Sequence, residues 1–333
     1  MALQPKDVGL GRLFDRLPAD ALIALPAVPP FHLEGTVRLL QRRPSNRVDG
    51  WDGHRYLRVL PTVAGLRLVM VENLGTVDAP DLQCRIAGGP VCSQTRAAVS
   101  STLMRMLGLD VDPAPFFAMA QSHARLRQAA EALRGLRPPR FPTLFEAFAN
   151  VIPFQQLSLA TGVAVVGRIV LRYGQHLNLN SGVYYAFPTP EDLVYADLGE
   201  LRDLGLSRAK AGTLQAVARR IVSGELSEER LGALASESAL QALTAVPGIG
   251  PWTSAEVRQR ACGDADAVSV GDYNLPAAVG WALAGRKVDD AGMLELLAPY
   301  AGHRYRAARL VELSGSRPPR HGHRMPVRDY RAF

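Results

Sequence analysis

The sequence is short of several things, and each shortage excludes a class of protein. Cysteine occurs three times, at Cys84, Cys92 and Cys262. Three thiols cannot all pair, which excludes a disulfide scaffold, and they fall short of the four thiolates an iron–sulfur cluster normally takes. The seven histidines show no metal-ligand spacing, and His321 with His323 in a basic stretch is weak evidence for a site. No metal held by side chains and no iron–sulfur cluster is therefore expected. No run of about 18 apolar residues is present to cross a membrane, and residues 1–20 lack the basic start and apolar stretch of a signal peptide. A cytoplasmic protein with no membrane partner is the expectation. Lysine is nearly missing too: Lys6, Lys210 and Lys287 are the only three, so arginine carries the positive charge.

What is present is ordinary in amount and uneven in placement. A chain of 333 residues has room for two or three domains. Its 47% apolar and 21% charged residues suit a globular protein with a sizeable core. Of the net charge of +7, residues 301–333 hold +6, as eight arginines against Glu312 and Asp329. Such a surface suits a polyanion through phosphate neutralisation and counterion release. It equally suits a solvated tail that aids solubility.

Residues 30–86 have strand patterning: residues 31–40, 55–63 and 66–71 mix alternation with β-branched side chains and are separated by turn residues. From about Ser93 the period changes to helical, with helices expected over 95–107 and 118–133. Everything after Pro142 reads as helical, including 143–152, 156–171, 207–223, 236–245, 253–261, 275–284, 289–297 and 304–313. The expectation is an α+β protein: an N-terminal antiparallel β-rich α+β domain (1–115), an all-α domain of two helical lobes (116–313) and a basic tail (314–333).

The most informative stretch is residues 243–253, LTAVPGIGPWT. An apolar helix end runs into Pro247-Gly248-Ile249-Gly250, and a second helix starts near Thr253. Two glycines around one aliphatic residue permit a tight turn, with Ile249 plugging it into the core. The turn leaves backbone N–H groups at a helix start facing outward, where the helix dipole favours a DNA phosphate. A plain helix connector would use the same residues. Nineteen residues beyond Thr253, after Gly271, stands Asp272, followed by Tyr273 and an amphipathic helix. An Asp in this position serves as an N-cap or as a functional carboxylate.

In this order, the hairpin, the Gly/Pro-rich loop and the Asp resemble the HhH-GPD superfamily of DNA glycosylases. The helical match covers about residues 140–313. Residues 243–253 with Trp252, Gly271-Asp272-Tyr273, and Phe154-Gln155-Gln156-Leu157-Ser158 most resemble the bacterial 3-methyladenine-DNA glycosylase II (AlkA-type) group. The N-terminal part is similar to that group in layout, without a motif as specific.

The resemblance implies a monofunctional glycosylase that flips an alkylated base (3-methyladenine-like or 7-methylguanine-like) out of duplex DNA and hydrolyses its N-glycosidic bond, starting base excision repair. It implies that Asp272 is the essential carboxylate, stabilising oxocarbenium character and orienting water. Trp252 stands where bifunctional members carry a Schiff-base lysine, so no lyase activity is expected. Trp252 and Tyr273 match pocket-lining positions, on which a cationic base would stack; interhelix packing is the alternative for both. Trp281 reads as core.

Pro247, Gly248, Ile249, Gly250 and Thr253 match the DNA-binding hairpin. Gln156 matches the residue that fills the gap left by the flipped base, with Gln155 supporting it or touching the opposite strand, although a solvent-facing helix start would also carry two glutamines. The main-chain carbonyls of Thr244, Val246 and Gly248 match a site for a structural Na+ or K+. Arg208 and Lys210 approach a phosphate or are simply solvated. Glu256 lines the pocket or is an exposed helix residue. The expected partner is double-stranded DNA with damaged bases, met by a monomer at the nucleoid. Two other functions stay open: a glycosylase for a deaminated or bulky lesion, and a damaged-DNA-binding protein that does not cut.

Overall fold

The protein's structure, a computed structural model, describes residues 21–315. Residues 316–333, with most of the basic tail, lie outside the described residues, as do Lys6, His321 and His323. The chain opens with a five-stranded antiparallel sheet formed by β1 (Leu22–Leu25), β2 (Gly50–Trp51), β3 (Arg55–Thr62), β4 (Gly65–Asn73) and β5 (Leu82–Ala87), in the order β1-β5-β4-β3-β2. Helix α1 (Leu33–Gln41) lies between β1 and β2. Helices α2 (Ser93–Leu107), α3 (Ala114–Ala120) and α4 (Ala124–Ala132) follow the sheet.

The second half holds α5 (Leu144–Ala149), α6 (Leu159–Tyr173), the hairpin β6 (His176–Leu179) and β7 (Gly182–Tyr185), and α7 (Pro190–Val194). It continues with α8 (Leu198–Asp203), α9 (Arg208–Val222), α10 (Glu228–Ala233), α11 (Ser236–Thr244) and α12 (Pro251–Val257). The latter runs on as one π-helical segment, Arg258–Cys262. Last come α13 (Leu275–Ala284), α14 (Asp290–Leu297) and α15 (Arg304–Leu313). The α+β class expected from the patterning is the one observed.

Three expectations fail, each for a local reason. Residues 31–40 alternate like a strand, yet 33–41 form α1. The same apolar residues also fit a helical stripe (Leu33, Val37, Leu40), His32 Nδ1 caps it by accepting from the Gly35 N–H (2.9 Å), and Glu34 pairs with Arg38 one turn on. The expected helix over 118–133 is two helices, because His123 interrupts it and caps α4. The region after Pro142 is not wholly helical: His176–Tyr185 alternates and turns at Asn180-Ser181.

That hairpin is used. Strand side chains alternate between faces, so Tyr56, Leu60, Val69 and Val71 point one way, into the main core with α5, α9 and the helices around 243–261. Leu57, Val59, Leu68 and Met70 point the other way and are covered by Leu177 of β6, Tyr184 of β7 and Ala186 just after it. The sheet is thus buried on both faces. A second core joins α3 and α4 to α13, α14 and α15 through Phe116, Leu126, Val279, Met293 and Val311.

One ionic cluster locks the sheet to the helices. Arg58 of β3 is buried and donates to Asp49 Oδ1 (2.7 Å) and to both carboxylate oxygens of Glu146 on α5 (2.6 Å each). The Tyr56 hydroxyl adds a 2.6 Å bond to the same Asp49 oxygen.

Candidate active site

The turn between α11 and α12 is shaped by what it must avoid. Gly248 has φ +87°, and a Cβ there would sit 2.1 Å from Thr213 Oγ1, whose hydroxyl donates to the Pro247 carbonyl (2.9 Å). Only glycine fits both demands. Ile249 is buried among Leu243, Val246 and Val257, a burial worth about 1.5–3 kcal/mol. Pro247, Gly248 and Gly250 stay exposed, and space around Gly250 is open. Pro251 is the first residue of α12, where its missing N–H is no loss.

A second turn is tied to this one. Residues 156–158 do not start α6, which begins at Leu159 with Ser158 as its cap. Gln155 and Gln156 instead follow a short 3-10 turn, Ile152–Phe154. Gln155 reaches across, its Nε2 donating to the Gly248 carbonyl (3.1 Å) and Thr253 Oγ1 (2.9 Å). Lys210 Nζ holds the same turn through the carbonyls of Pro153 (3.2 Å) and Gln155 (2.5 Å), and partial burial lowers its pKa. Phe154 is clamped between Gly162, where a Cβ would meet the ring at 2.3 Å, and the Arg42 guanidinium, 4.3 Å from the ring centroid. Burial, with Arg260 nearby, pushes Arg42 down to about 9. Gln156 is left exposed with φ +53°, a left-handed conformation that a non-glycine residue adopts at a cost.

The carboxylate lies where the two cores meet. Trp252 packs against the main core, while Leu275, at the start of α13, belongs to the second. Between them Asp272 serves both helices. Its Oδ1 accepts from the N–H groups of Asn274 (2.8 Å) and Leu275 (2.9 Å), and its Oδ2 accepts from Trp252 Nε1 (3.0 Å). Asn274, not Asp272, is the N-cap of α13, but one Asp272 oxygen still takes the N–H groups of Asn274 and Leu275 at the helix entrance while the other faces the hairpin helix. Gly271 turns the chain with φ +85°, and its N–H donates to Asp290 (3.1 Å).

The loop carrying Asp272 is latched to α12 by residues that sequence reasoning passed over. Gln259 Nε2 donates to the Ala267 carbonyl (2.7 Å) and to Ser269 Oγ (2.9 Å), and Ser269 Oγ donates to Glu256 Oε1 (2.8 Å). Gln259 and Ser269 are buried, and no motif marks them; only their spacing on either side of Gly263 hints at a contact. Glu256 is neither an exposed helix residue nor a free pocket wall, because Arg260 Nε donates to its Oε2 (2.8 Å). Burial pushes its pKa up, but Arg260 and the Ser269 bond outweigh that and hold it below the usual range.

Other expected site residues are placed differently. Tyr273 is 94% exposed and stands free beside Asp272 rather than walling a pocket. Trp281 is 37% exposed and not core. Thr253 is buried with its hydroxyl engaged by Gln155, so any contact it makes with DNA would be through its main chain. Arg208 is exposed, whereas Lys210 is spent on the Gln155 turn. The carbonyls of Val246 and Gly248 each already accept one bond, from Ile249 N–H (3.0 Å) and Gln155, which leaves each a lone pair. Among the described residues no cluster of His, Cys, Asp and Glu could hold a metal ion, and no helix is long and apolar enough to cross a membrane.

This arrangement has relatives. Residues 149–298 match the model of the HhH-GPD superfamily base excision DNA repair protein. That stretch is an HhH-GPD domain. It contains both turns, Trp252 and Asp272, while the five-stranded sheet and α15 lie outside it. A DNA-3-methyladenine glycosylase of Bacillus subtilis is 30% identical over 186 residues, 56% of this chain and 61% of that protein. A probable bifunctional transcriptional activator/DNA repair enzyme AlkA of Mycobacterium tuberculosis is 27% identical over 260 residues, 76% of this chain and 49% of that protein. The chain thus spans less than two thirds of the length of either relative. A solved 3-methyladenine DNA-glycosylase from Archaeoglobus fulgidus has the same fold, with a TM-score of 0.72 at 23% identity over 87% of this chain and 95% of the other.

Proposed function

We propose that the protein is a monofunctional DNA glycosylase that removes alkylated bases from duplex DNA. One observation carries the proposal: Asp272, fixed at the junction of two cores, has one oxygen held by the indole of Trp252, where a Schiff-base lysine would otherwise stand. Asp272 stabilises positive charge developing on the deoxyribose as the glycosidic bond breaks, and orients the water that replaces the base. The hairpin turn at 247–250 holds the backbone through main-chain N–H groups. Gln156 fills the gap in the stack, aided by a turn that Gln155 and Lys210 brace. A monovalent cation on the free lone pairs of Val246 and Gly248, with Thr244, would join the hairpin to a phosphate. The name of the Bacillus subtilis relative, a DNA-3-methyladenine glycosylase, supports the choice of lesion. The enzyme would act as a monomer on nucleoid DNA.

A second reading, release of a deaminated or bulky base, is favoured by Tyr273, which stands exposed beside Asp272 and builds no aromatic wall selective for a cationic base. One experiment separates the readings. Wild type and Asp272→Asn are incubated with duplexes carrying methylated, deaminated or bulky bases, and released bases are read by mass. Asn keeps an oxygen for the N–H groups at the start of α13 but turns an amide donor toward the Trp252 indole, so the substitution removes the charge and the Trp252 bond together. A fall of about 10²–10³ in release is expected. Undiminished release by the variant would sink the role of Asp272, binding without release from any lesion would leave a recognition protein, and a borohydride-trapped adduct would refute the water mechanism.

A further inference from the structure

Away from both turns, α3, α4 and α15 enclose a cleft of about 80 Å³ with the far end of α12. That is room for about five to eight waters at roughly 10–15 Å³ each. Its walls combine apolar side chains, among them Phe116, Phe117 and Leu136, with four arginines, Arg137, Arg140, Arg306 and Arg309. Two of the arginines that line it are committed. Arg137 donates to the carbonyls of Gly108 (2.5 Å), Val111, Val28 and Pro30 (3.3 Å), and Arg309 to Glu312 (2.5 Å).

The other two are not. Arg140 and Arg306 are half-buried, and neither guanidinium has a hydrogen-bond or ion-pair partner among the described residues. Arg140 lies flat against Gly263, where a Cβ would be 2.1 Å from its Cζ, so the backbone fixes its place. Both arginines are pushed below the ordinary range, by burial first; the nearby Arg140 adds to the effect on Arg306. Both guanidiniums line the one cleft, and the acids that act on Arg140 (Asp110 and Glu228) form no ion pair with it, Glu228 being taken by Arg105. Partly buried cations without a counter-ion favour the arrival of an anion. Gln259 adds a third unmet demand. Its Nε2 is engaged by the Asp272 loop, and its Oε1 is buried without a partner among the described residues.

We propose that this cleft binds a small organic oxyanion, a carboxylate or phosphate monoester on a compact apolar body. The anionic group lies between Arg140 and Arg306, the body lies against Phe116 and Phe117, and a donor on the body reaches Gln259 Oε1. Planar guanidinium forks suit such groups better than an ammonium would. The site uses neither Asp272, Trp252 nor the hairpin turn and meets the Asp272 loop only through Gln259, so the substitutions that test it are made at Arg140 and Arg306.

The test is calorimetric titration of the full chain with benzoate, phenyl phosphate and inorganic phosphate at matched ionic strength. At least one of the two aromatic anions is expected to bind ten times tighter than inorganic phosphate, and the preferred one tells a carboxylate source from a phosphate source. Arg306→Gln and Arg140→Gln are each expected to weaken it at least tenfold while leaving base release unchanged. Benzoate and phenyl phosphate binding no tighter than inorganic phosphate would overturn the proposal. So would equal binding by either variant that retains wild-type thermal unfolding. Displacement of phenyl phosphate by undamaged duplex DNA would overturn it too, assigning the arginines to the DNA surface.

Discussion

Trp252 and Asp272, twenty residues apart, meet through a single 3.0 Å bond from the indole N–H to Oδ2. The bond joins a helix seated in one core to the loop that leads into a helix seated in the other. Trp252→Phe keeps the ring packing and deletes the donor. A hydrogen bond to a charged group contributes about 1.5–3 kcal/mol, so base release from methylated DNA is expected to slow by at least about tenfold. The lost bond should also lower the thermal midpoint by about a few degrees, so single-turnover rates are compared below the melting transition, with a melting curve beside them.

The two glycines of the hairpin are predicted to behave unlike each other. Gly248→Ala meets both a left-handed φ and the Thr213 hydroxyl, and should lower stability by about 1–3 kcal/mol in urea unfolding while weakening DNA binding. Gly250→Ala enters open space at an extended φ of −98° and should leave the fold intact. Any loss of DNA affinity in the second variant then reports contact with DNA directly.

The adjacent glutamines divide structure from recognition in the same way. Gln155→Ala strips the Gly248 carbonyl and Thr253 of their shared donor and should destabilise by about 1–2 kcal/mol. Gln156→Gly relieves a strained φ, so stability should hold or rise by up to about 1 kcal/mol. Base release should nevertheless fall, since nothing remains to fill the gap in the stack. Denaturant midpoints measured beside release rates would separate the two.

Arg58→Met leaves Asp49 and Glu146 buried without their cation. Removing one partner of a buried ion pair costs about 3–5 kcal/mol, and the shift should appear as a lower urea midpoint. Activity per folded molecule should persist, because Arg58 lies on the sheet and touches none of the site residues.

How far the chain could be read in advance follows from which interactions are local. The hairpin was legible because a glycine–aliphatic–glycine turn is specified by its own φ angles and by one buried side chain. Helices α13 and α15 matched their expected spans because their patterns run cleanly between glycines. Residues 31–41 misled because their apolar spacing fits both periods, and a histidine cap decided the outcome. The links between Gln155 and the hairpin, Lys210 and the Gln155 turn, and Gln259 and the Asp272 loop were not legible. The first two cross more than fifty residues, and all three end mainly on backbone carbonyls, which every sequence contains. Tyr273 shows the converse: a motif fixed its neighbour in sequence but not the direction of its ring.

The hairpin of β6 and β7 bears on what would survive excision. Residues 149–298 include it, yet the far face of the sheet that it shields belongs to the preceding part of the chain. At the other end, α13 and α14 share their apolar contacts with α15, beyond the match. A fragment cut at those limits would bare two greasy seams and should precipitate, or scavenge foreign chains to hide them. The segment that the family model covers is therefore smaller than the body that holds itself together. Changes to Leu57 or Met70 in a distant descendant should arrive with matching changes at Leu177 or Tyr184.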